Sequence, residues 1–252
     1  MFAIERRSAI LAALGAEGKV VVSELSQKFG VTEETIRRDI EKLSREGLAT
    51  KTYGGAVSNV SPSSDLPYNV RKRFNVELKQ NIAEKVAAMI NDGDRIMLDA
   101  SSTAIYVTRK IKNKKNITVI TNSVEILLEL ADKTGWTVLS TGGTLKEGSF
   151  STVGAAAEKM VRGYHVDMCI CSAKGIDEKM GITDSNEKDS QMKQAMFSSA
   201  DKKVLALDST KFDKISFIKV CDISDADIIV TDKAPSEQWQ NRLAENGVKL
   251  IY

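Results

Sequence analysis

The sequence predicts an α/β protein in which a small helical N-terminal domain precedes a larger domain built on a parallel sheet. Residues 1–57 show short helical patterns separated by glycines, whereas from residue 76 onward short apolar runs alternate with helical stretches. Nearly continuous apolar strands divided by helices are typical of a parallel sheet covered on both faces. Between them, Ser58–Pro67 holds two of the three prolines and four serines and is interpreted as a linker or an ordered strap. We therefore expect domains at 1–57 and 76–252, joined by a linker at 58–75.

Seven apolar runs define the strands expected in the larger domain. They lie at residues 96–98, 117–120, 137–139, 166–171, 204–207, 228–230 and 248–251. Helical patterns separate most of them, for example at 78–90, 124–131 and 155–161. Strands that alternate with helices in this way predict a parallel sheet.

Composition excludes several function classes. The 252 residues carry a net charge of only +2, so nucleic-acid binding has to be argued from a motif. No run of eighteen apolar residues occurs, and we expect no membrane partner. The three cysteines and the absence of a secretory pattern favour a reduced, cytoplasmic compartment. A single histidine disfavours histidine-based metal sites, and we expect neither a metal nor a cofactor.

Two short helices joined by a glycine turn are expected within Val22–Leu43. Ser23 is placed to cap the first helix, and Gly30 can take the left-handed conformation that ends it. Thr32 can cap the second helix. Helix, a turn of about three residues and helix is the spacing of a helix-turn-helix.

The second helix of this pair is amphipathic, with Ile36, Ile40 and Leu43 in one apolar stripe. Its exposed front carries residues that suit base edges and phosphates, namely Thr32, Thr35, Arg37 and Arg38. A β-prone run that ends in Gly54-Gly55 follows, and as a wing it would lay Lys51 and Tyr53 along a DNA backbone.

The same pattern also fits a surface helix without a DNA partner. Glu34–Arg38 and Glu41–Arg45 have the spacing of stabilising ion pairs. Local charge does not decide the matter, because residues 1–57 hold nine basic and eight acidic residues. From the residues alone, both interpretations stay open.

Polar loops follow four of the expected strands, at the edge where ligands collect in open parallel sheets. Hydroxyl and amide groups before a helix suit a phosphate, glycines permit close approach, and a lysine adds charge. An aspartate there would accept hydrogen bonds from sugar hydroxyls or orient its loop. The candidates are Asp99, Ser101, Ser102, Thr103, Asn122, Gly142, Gly143 and Lys211. The alternative is that these loops are ordinary turns and helix caps.

The stretch Val31–Ile40, followed by Gly47-Leu48 and Tyr53-Gly54-Gly55-Ala56, closely resembles the winged helix-turn-helix of DeoR-family transcriptional regulators. Its most specific part is the Thr-Ile-Arg-Arg-Asp core at residues 35–39. The family usually has histidine at the position of Tyr53. The resemblance implies a DNA-binding set that comprises Ser23, Thr32, Glu34, Thr35, Arg37, Arg38, Lys51, Tyr53, Gly54 and Gly55.

The larger domain resembles the sensor domain of the same family through Leu98–Thr103, Thr121-Asn122, Gly142-Gly143 and Asp208–Phe212. That domain is similar in fold to ribose-5-phosphate isomerase and binds phosphorylated sugars or related phosphorylated intermediates. The resemblance therefore implies that these positions contact the effector. Lys174 and Asp189 are two further candidate contacts.

These observations predict a repressor of a sugar-metabolism operon that a phosphorylated sugar releases from double-stranded operator DNA. Because repressors usually pair two half-sites through two-fold symmetry, we expect a homo-oligomer, a dimer or higher. The alternative is a sugar-phosphate isomerase with an accessory domain. The isomerases that the domain resembles carry clustered acids near the strand at 166–171, where this chain has Asp167 followed by Met168, Cys169 and Ile170. We therefore expect a regulator and not an enzyme.

Overall fold

The computed structural model describes residues 2–58 and 68–252, and the chain forms two compact units, Met1–Asn75 and Val76–Tyr252. Buried apolar side chains form a core within each unit. Among the described helices, none is long and apolar enough to span a membrane.

The N-terminal unit is a winged helix-turn-helix, as predicted. Its elements are α1 (Ala3–Glu17), β1 (Lys19–Val21), α2 (Val22–Phe29), α3 (Glu33–Arg45), β2 (Ala49–Thr52), β3 (Gly55–Ser58) and α4 (Tyr68–Arg73). The strands form an antiparallel sheet in the order β1-β3-β2, and the β2–β3 hairpin is the wing. The apolar stripe of α3 is buried, since Ile36, Ile40 and Leu43 are at most 1% exposed.

The helix ends in this unit correct one prediction. Gly30 ends α2 in the left-handed region (φ 63°), and the Thr32 side chain caps α3, both as predicted. Ser23 does not cap α2, because the helix begins at Val22 and Val21 occupies the N-cap position. The Val22 amide donates instead to the Gly54 carbonyl at 2.9 Å, so the wing satisfies the first N–H of the helix.

The predicted linker, 58–75, contains the helix α4. Residues 59–67 lie outside the described residues. Tyr68 is fully buried, and Phe74 packs against the core of the N-terminal unit. These two aromatic residues give the end of the segment a packed structure, which the prolines and serines before it do not indicate.

The larger unit is a seven-stranded parallel sheet with flanking helices. Its main strands are β4 (Arg95–Leu98), β5 (Thr118–Thr121), β6 (Thr137–Ser140), β9 (Val166–Cys171), β12 (Ala200–Ala206), β14 (Ile228–Val230) and β15 (Lys249–Ile251). Its helices are α5 (Val76–Ala87), α6 (Ala104–Lys110), α7 (Val124–Leu130), α8 (Ala155–Arg162), α9 (Glu187–Phe197) and α10 (Glu237–Glu245). All neighbouring strands are parallel, in the order β15-β14-β12-β9-β4-β5-β6, which confirms the predicted fold class.

The direction of strand addition reverses at the centre of this sheet. The chain starts at β4, moves outward through β5 and β6, and then returns to β9 on the other side of β4. In open α/β sheets, ligands bind outside the carboxyl ends of the strands at such a switch point. The fold therefore predicts a ligand site at the loops that follow β4 and β9.

Five short strands were not predicted. β7 (Thr144–Lys146) pairs with β8 (Ser151–Val153), and β10 (Gly175–Asp177), β11 (Gly181–Asp184) and β13 (Ile218–Cys221) form a small antiparallel sheet. Each has only three or four residues, too few to show a clear period in the sequence. β7 comes directly after β6 and β10 directly after β9, so both additions border the carboxyl edge of the large sheet.

Candidate functional site

The front of α3 carries two arginines, each paired with a glutamate one turn earlier. Arg37 donates to Glu33 at 3.2 Å, and Arg38 donates to Glu34 at 3.1 Å. The arginine side chains are 42% and 77% exposed. Exposed pairs at this spacing contribute about 0.3–0.5 kcal/mol, so either arginine can exchange its partner at little cost. The other predicted residues of α2 and α3 are exposed or half-buried, namely Ser23, Thr32 and Thr35.

The wing presents its turn to solvent. Tyr53 is fully exposed, and Lys51 on β2 is exposed as well. The two glycines that follow differ, because a Cβ at Gly54 would meet nothing within 4 Å, whereas one at Gly55 would lie 1.9 Å from the Val20 carbonyl oxygen. Close pairing of β3 with β1 thus requires Gly55, which gives this glycine a packing role.

Asp39, in the same motif as the arginines, is buried. Its carboxylate accepts from Arg6 at 2.5 Å and lies 3.5 Å from the Arg7 guanidinium, both on α1. Removing one partner of a buried ion pair costs about 3–5 kcal/mol, so this contact fixes α3 against α1. Sequence analysis missed it because the partner lies 33 residues away. The available signal was an aspartate beside the apolar stripe of α3.

Apart from Asp189, which lies on α9, the predicted effector residues follow five consecutive strands of the large sheet. Taken across the sheet, the loops follow β12, β9, β4, β5 and β6. Neighbouring strands are about 4.8 Å apart, so the topology brings these loops to one edge. The side chains of the central loop are buried, namely Asp99, Ser101, Ser102 and Thr103.

Asp99 ties the two loops of the switch point together. Its carboxylate accepts from the Ser101 amide at 3.1 Å and from the Ser172 amide at 3.0 Å. The Ser101 hydroxyl in turn accepts from the Ala104 amide at 3.1 Å, at the start of α6. The sequence allows Asp99 either to accept hydrogen bonds from a sugar or to orient its loop. The observed contacts fit the second role.

A buried charge cluster lies beside this loop. Lys193, on α9, forms an ion pair with Asp184 at the end of β11, and its Nζ lies 3.7 Å from Asp99. Burial opposes ionisation of Asp184, yet Lys193 holds the pKa of that carboxyl below its usual value. Burial likewise opposes the ammonium, but Asp184 and Asp99 raise the pKa of Lys193. At Asp99 burial dominates, and its pKa is raised.

Sequence analysis missed Lys193 and Asp184. Neither lies directly after a main strand, and β11 is too short to be recognised from its pattern. Two of the predicted effector contacts also interact with charged groups. Asp189 forms an ion pair with Lys146 of β7. Burial raises the pKa of Asp184, whereas Lys193 and, to a smaller extent, Lys174 lower it.

Asn122 and the glycine pair border the β7–β8 hairpin. Asn122 is 3% exposed and donates through Nδ2 to the Thr152 carbonyl at 3.0 Å. Its Oδ1 has no hydrogen-bond partner among the described residues, so a ligand donor that reached it would be stabilised. Gly142 has φ 62° and open space beside it. Gly143 has φ 98°, and a Cβ there would lie 2.7 Å from the Val153 carbonyl oxygen, so packing requires this glycine.

Lys211 lies on a 3-10 turn, Ser209–Lys211, that Asp208 caps. Burial opposes ionisation of Asp208, but Lys211 and Lys79 hold its pKa below the usual value. Lys79, on α5, is only 5% exposed. The sequence places it in a helical pattern without indicating that it reaches the carboxyl end of β12. Two cations therefore act on one buried carboxylate.

Comparison with known proteins identifies both units. Residues 6–62 match the DeoR-like helix-turn-helix domain, and residues 74–233 match the DeoR C terminal sensor domain. The HTH-type transcriptional regulator YulB of Bacillus subtilis is 38% identical over 250 residues, 99% of this chain and 96% of the relative. The L-fucose operon activator of Haemophilus influenzae is 31% identical over 246 residues, 98% of each chain.

Among solved structures, ribose 5-phosphate isomerase A from Methanocaldococcus jannaschii aligns over 55% of each chain with 18% identity and a TM-score of 0.40. A likeness of that size carries no conclusion about activity. The two domain matches are specific, since a helix-turn-helix domain binds DNA and a sensor domain responds to a small effector. The chain belongs to the DeoR family of transcriptional regulators and is not an enzyme.

Proposed function

We propose that the protein represses a sugar-metabolism operon in the cytoplasm and leaves its operator when a phosphorylated sugar binds at the carboxyl edge of the large sheet. The observation that carries this proposal is the set of buried polar groups at the switch point. Buried hydroxyls at Ser101, Ser102 and Thr103 can donate to phosphate oxygens, and the unpartnered Oδ1 of Asn122 can accept from a sugar hydroxyl. Lys211 would add a positive charge for the phosphate.

On the DNA side, we propose that α3 enters the major groove while Lys51 and Tyr53 lie along the backbone. Replacement of Arg37 or Arg38 by alanine should then weaken operator binding. An arginine that reads a base should cost about 1–3 kcal/mol and relax specificity at one position. One that binds a phosphate should weaken all sequences alike and reduce the salt dependence. Wild-type operator affinity in both variants would contradict this docking.

We propose further that the protein binds as a dimer or a larger homo-oligomer held mainly by the larger unit. A single helix in the groove reads few base pairs, and two-fold symmetry lets a regulator pair two half-sites. Light scattering at micromolar concentration, with and without DNA, tests this. A monomeric mass under both conditions would contradict it.

The test of regulation needs an operator and a panel of phosphorylated sugars. The operator can be selected from genomic fragments, and thermal-shift measurements can screen the panel, since a ligand at about 100 times its Kd stabilises by about 2.7 kcal/mol. A stabilising sugar phosphate should then weaken operator binding in fluorescence anisotropy. If it tightens the complex or leaves the operator affinity unchanged, the proposed release by the ligand is wrong.

A further inference from the structure

The acidic residues in the first turn of α3, Glu33 and Glu34, directly contact the two arginines of the proposed DNA interface. We propose that Glu33 and Glu34 suppress sequence-independent DNA binding by holding Arg37 and Arg38 until a specific site offers them better partners. The inference rests on the proposed docking of α3. It makes the two glutamates determinants of the affinity for DNA of arbitrary sequence.

The geometry places both carboxylates where they compete with DNA. Glu33 and Glu34 are the first two residues of α3, and their side chains are 51% and 66% exposed. In a helix-turn-helix, the N-terminal residues of the recognition helix reach the base edges, so carboxylates there approach DNA closely. They would repel phosphates, and at the same time they occupy guanidinium groups that would otherwise bind phosphates.

The charge balance of residues 1–57 is consistent with this role. Residues 1–57 carry nine basic and eight acidic residues, which leaves little net attraction for DNA of arbitrary sequence. Two of the basic residues, Arg6 and Arg7, are committed to Asp39. Sequence-independent binding depends on the number of phosphates that free cations neutralise. With Arg37 and Arg38 paired, the front of α3 contributes few of these contacts.

A specific site favours release of the arginines from the glutamates because its hydrogen-bond acceptors are directional. A guanine offers O6 and N7 to an arginine as a bidentate acceptor, and this pair of acceptors is present only where the sequence has a guanine at that position. The exposed pairs are weak, so a bidentate base contact can displace the glutamate. The ion pairs therefore weaken binding to every sequence, and a site whose bases fit offsets this cost with its directional contacts.

The chain contains a matched control on the same helix. Arg45 donates to Glu41 at 2.7 Å with the same spacing, and these side chains are 78% and 47% exposed. This third pair lies in the last turns of α3, away from the end expected to meet the bases. Neutralising Glu41 changes the net charge by the same amount as neutralising Glu33 or Glu34, but it frees no arginine at the front.

The experiment uses the full chain and a fluorescein-labelled duplex of mixed sequence that contains no operator. Anisotropy titrations over a series of salt concentrations give the affinity and the salt dependence. The double variant Glu33→Gln/Glu34→Gln should bind this duplex about threefold to tenfold more tightly, and the slope of log K against log salt should steepen by about 0.9 for each arginine released. Glu33→Gln and Glu34→Gln alone should each tighten binding by part of this factor, whereas Glu41→Gln, with the same change in net charge as either single variant, should match the wild type. Because both arginines must leave their glutamates before they contact DNA of any sequence, operator binding by the double variant should tighten by a similar factor.

Unchanged or weaker binding of the mixed-sequence duplex by the double variant would overturn the proposal, as would equal tightening by Glu41→Gln. The variant Arg37→Ala/Arg38→Ala separates this from failure of the docking. If α3 docks as proposed, loss of the arginines weakens DNA binding and abolishes the effect of the two glutamine substitutions. If the arginine variant binds both duplexes like the wild type, the docking itself is wrong.

Discussion

The charged groups on the exposed front of α3 and those at the switch point of the large sheet differ in how far water reaches them. Arg38 and its partner Glu34 are 77% and 66% exposed, whereas the side chains of Lys193 and Asp184 are 13% and 3% exposed. Exposed pairs contribute roughly 0–1 kcal/mol and can change partners. A buried pair cannot lose one member without leaving a desolvated charge, so it holds its elements in place.

This difference assigns the two regions different tasks. On the front of α3 the charges are available for exchange, which suits a surface that must leave one partner for another. At the switch point they hold the carboxyl ends of β4 and β11 against α9, which suits a site whose shape must exist before a ligand arrives. The following predictions test that division, from the largest expected effect to the smallest.

Lys193→Met should lower the free energy of unfolding by about 3–5 kcal/mol, because it leaves Asp184 and Asp99 buried without their cation. Urea denaturation followed by circular dichroism measures this. The double variant Lys193→Met/Asp184→Asn should recover much of the loss, since the neutral pair carries no uncompensated charge. Glu41→Gln on α3 serves as the exposed control and should change stability by less than about 0.5 kcal/mol. Equal losses from the buried and the exposed variants would refute the division.

Gly55→Ala and Gly54→Ala form a second matched comparison, in the wing. The added Cβ at Gly55 would lie 1.9 Å from the Val20 carbonyl oxygen, whereas at Gly54 it would meet nothing within 4 Å. Overpacking costs about 1–3 kcal/mol, so the thermal midpoint of the N-terminal unit should fall only for Gly55→Ala. If Gly54→Ala weakens DNA binding at unchanged stability, the DNA contact of that glycine is supported. A stable, fully active Gly55→Ala would show that the two strands tolerate separation there.

The pH dependence of stability should follow the buried pair. The lowered pKa of Asp184 contributes stability that is present above its unfolded value of 3.8 and is lost as the pH falls through the lower folded value. The raised pKa of Lys193 contributes stability that is present below 10.5 and is lost as the pH rises above it. Asp99, with a raised pKa, opposes the first effect.

Denaturation across a pH series should therefore show stability falling below about pH 4 and above about pH 10.5. In the double variant Lys193→Met/Asp184→Asn both declines should become smaller without disappearing, because other groups with shifted pKa values remain, such as Asp208 with a lowered pKa and Cys221 with a raised one. An identical pH profile for the variant and the wild type would show that the pair does not set it.

Local patterns were enough to predict the main elements of both units, because each main strand is an apolar run and α3 has a clear apolar stripe. The contacts that define the sites depend on residues far apart in the chain. Asp39 meets Arg6 from 33 residues away, and Lys193 meets Asp99, after β4, from even farther along the chain. The sequence predicts the N-cap of α2 at Ser23 because it does not show that β1 continues directly into α2.

The proposed regulation depends on a coupling between the effector site and DNA binding, and Lys211 is the residue that tests it most directly. Lys214 lies on the loop that follows and is exposed, so it provides a control of equal charge. A tenfold loss of operator affinity on ligand binding needs only about 1.4 kcal/mol of coupling. Removal of the Lys211 cation from the proposed phosphate site should abolish that response and leave the residues of α3 unchanged.

The decisive measurement is operator affinity by anisotropy, titrated with a stabilising sugar phosphate, for the wild type, Lys211→Ala and Lys214→Ala. The account predicts equal affinity for all three without ligand, release of DNA from the wild type and Lys214→Ala, and no release from Lys211→Ala. Release from Lys211→Ala at the wild-type ligand concentration would contradict the assignment of the effector site. Loss of operator binding by Lys211→Ala without ligand would show instead that Lys211 is structural.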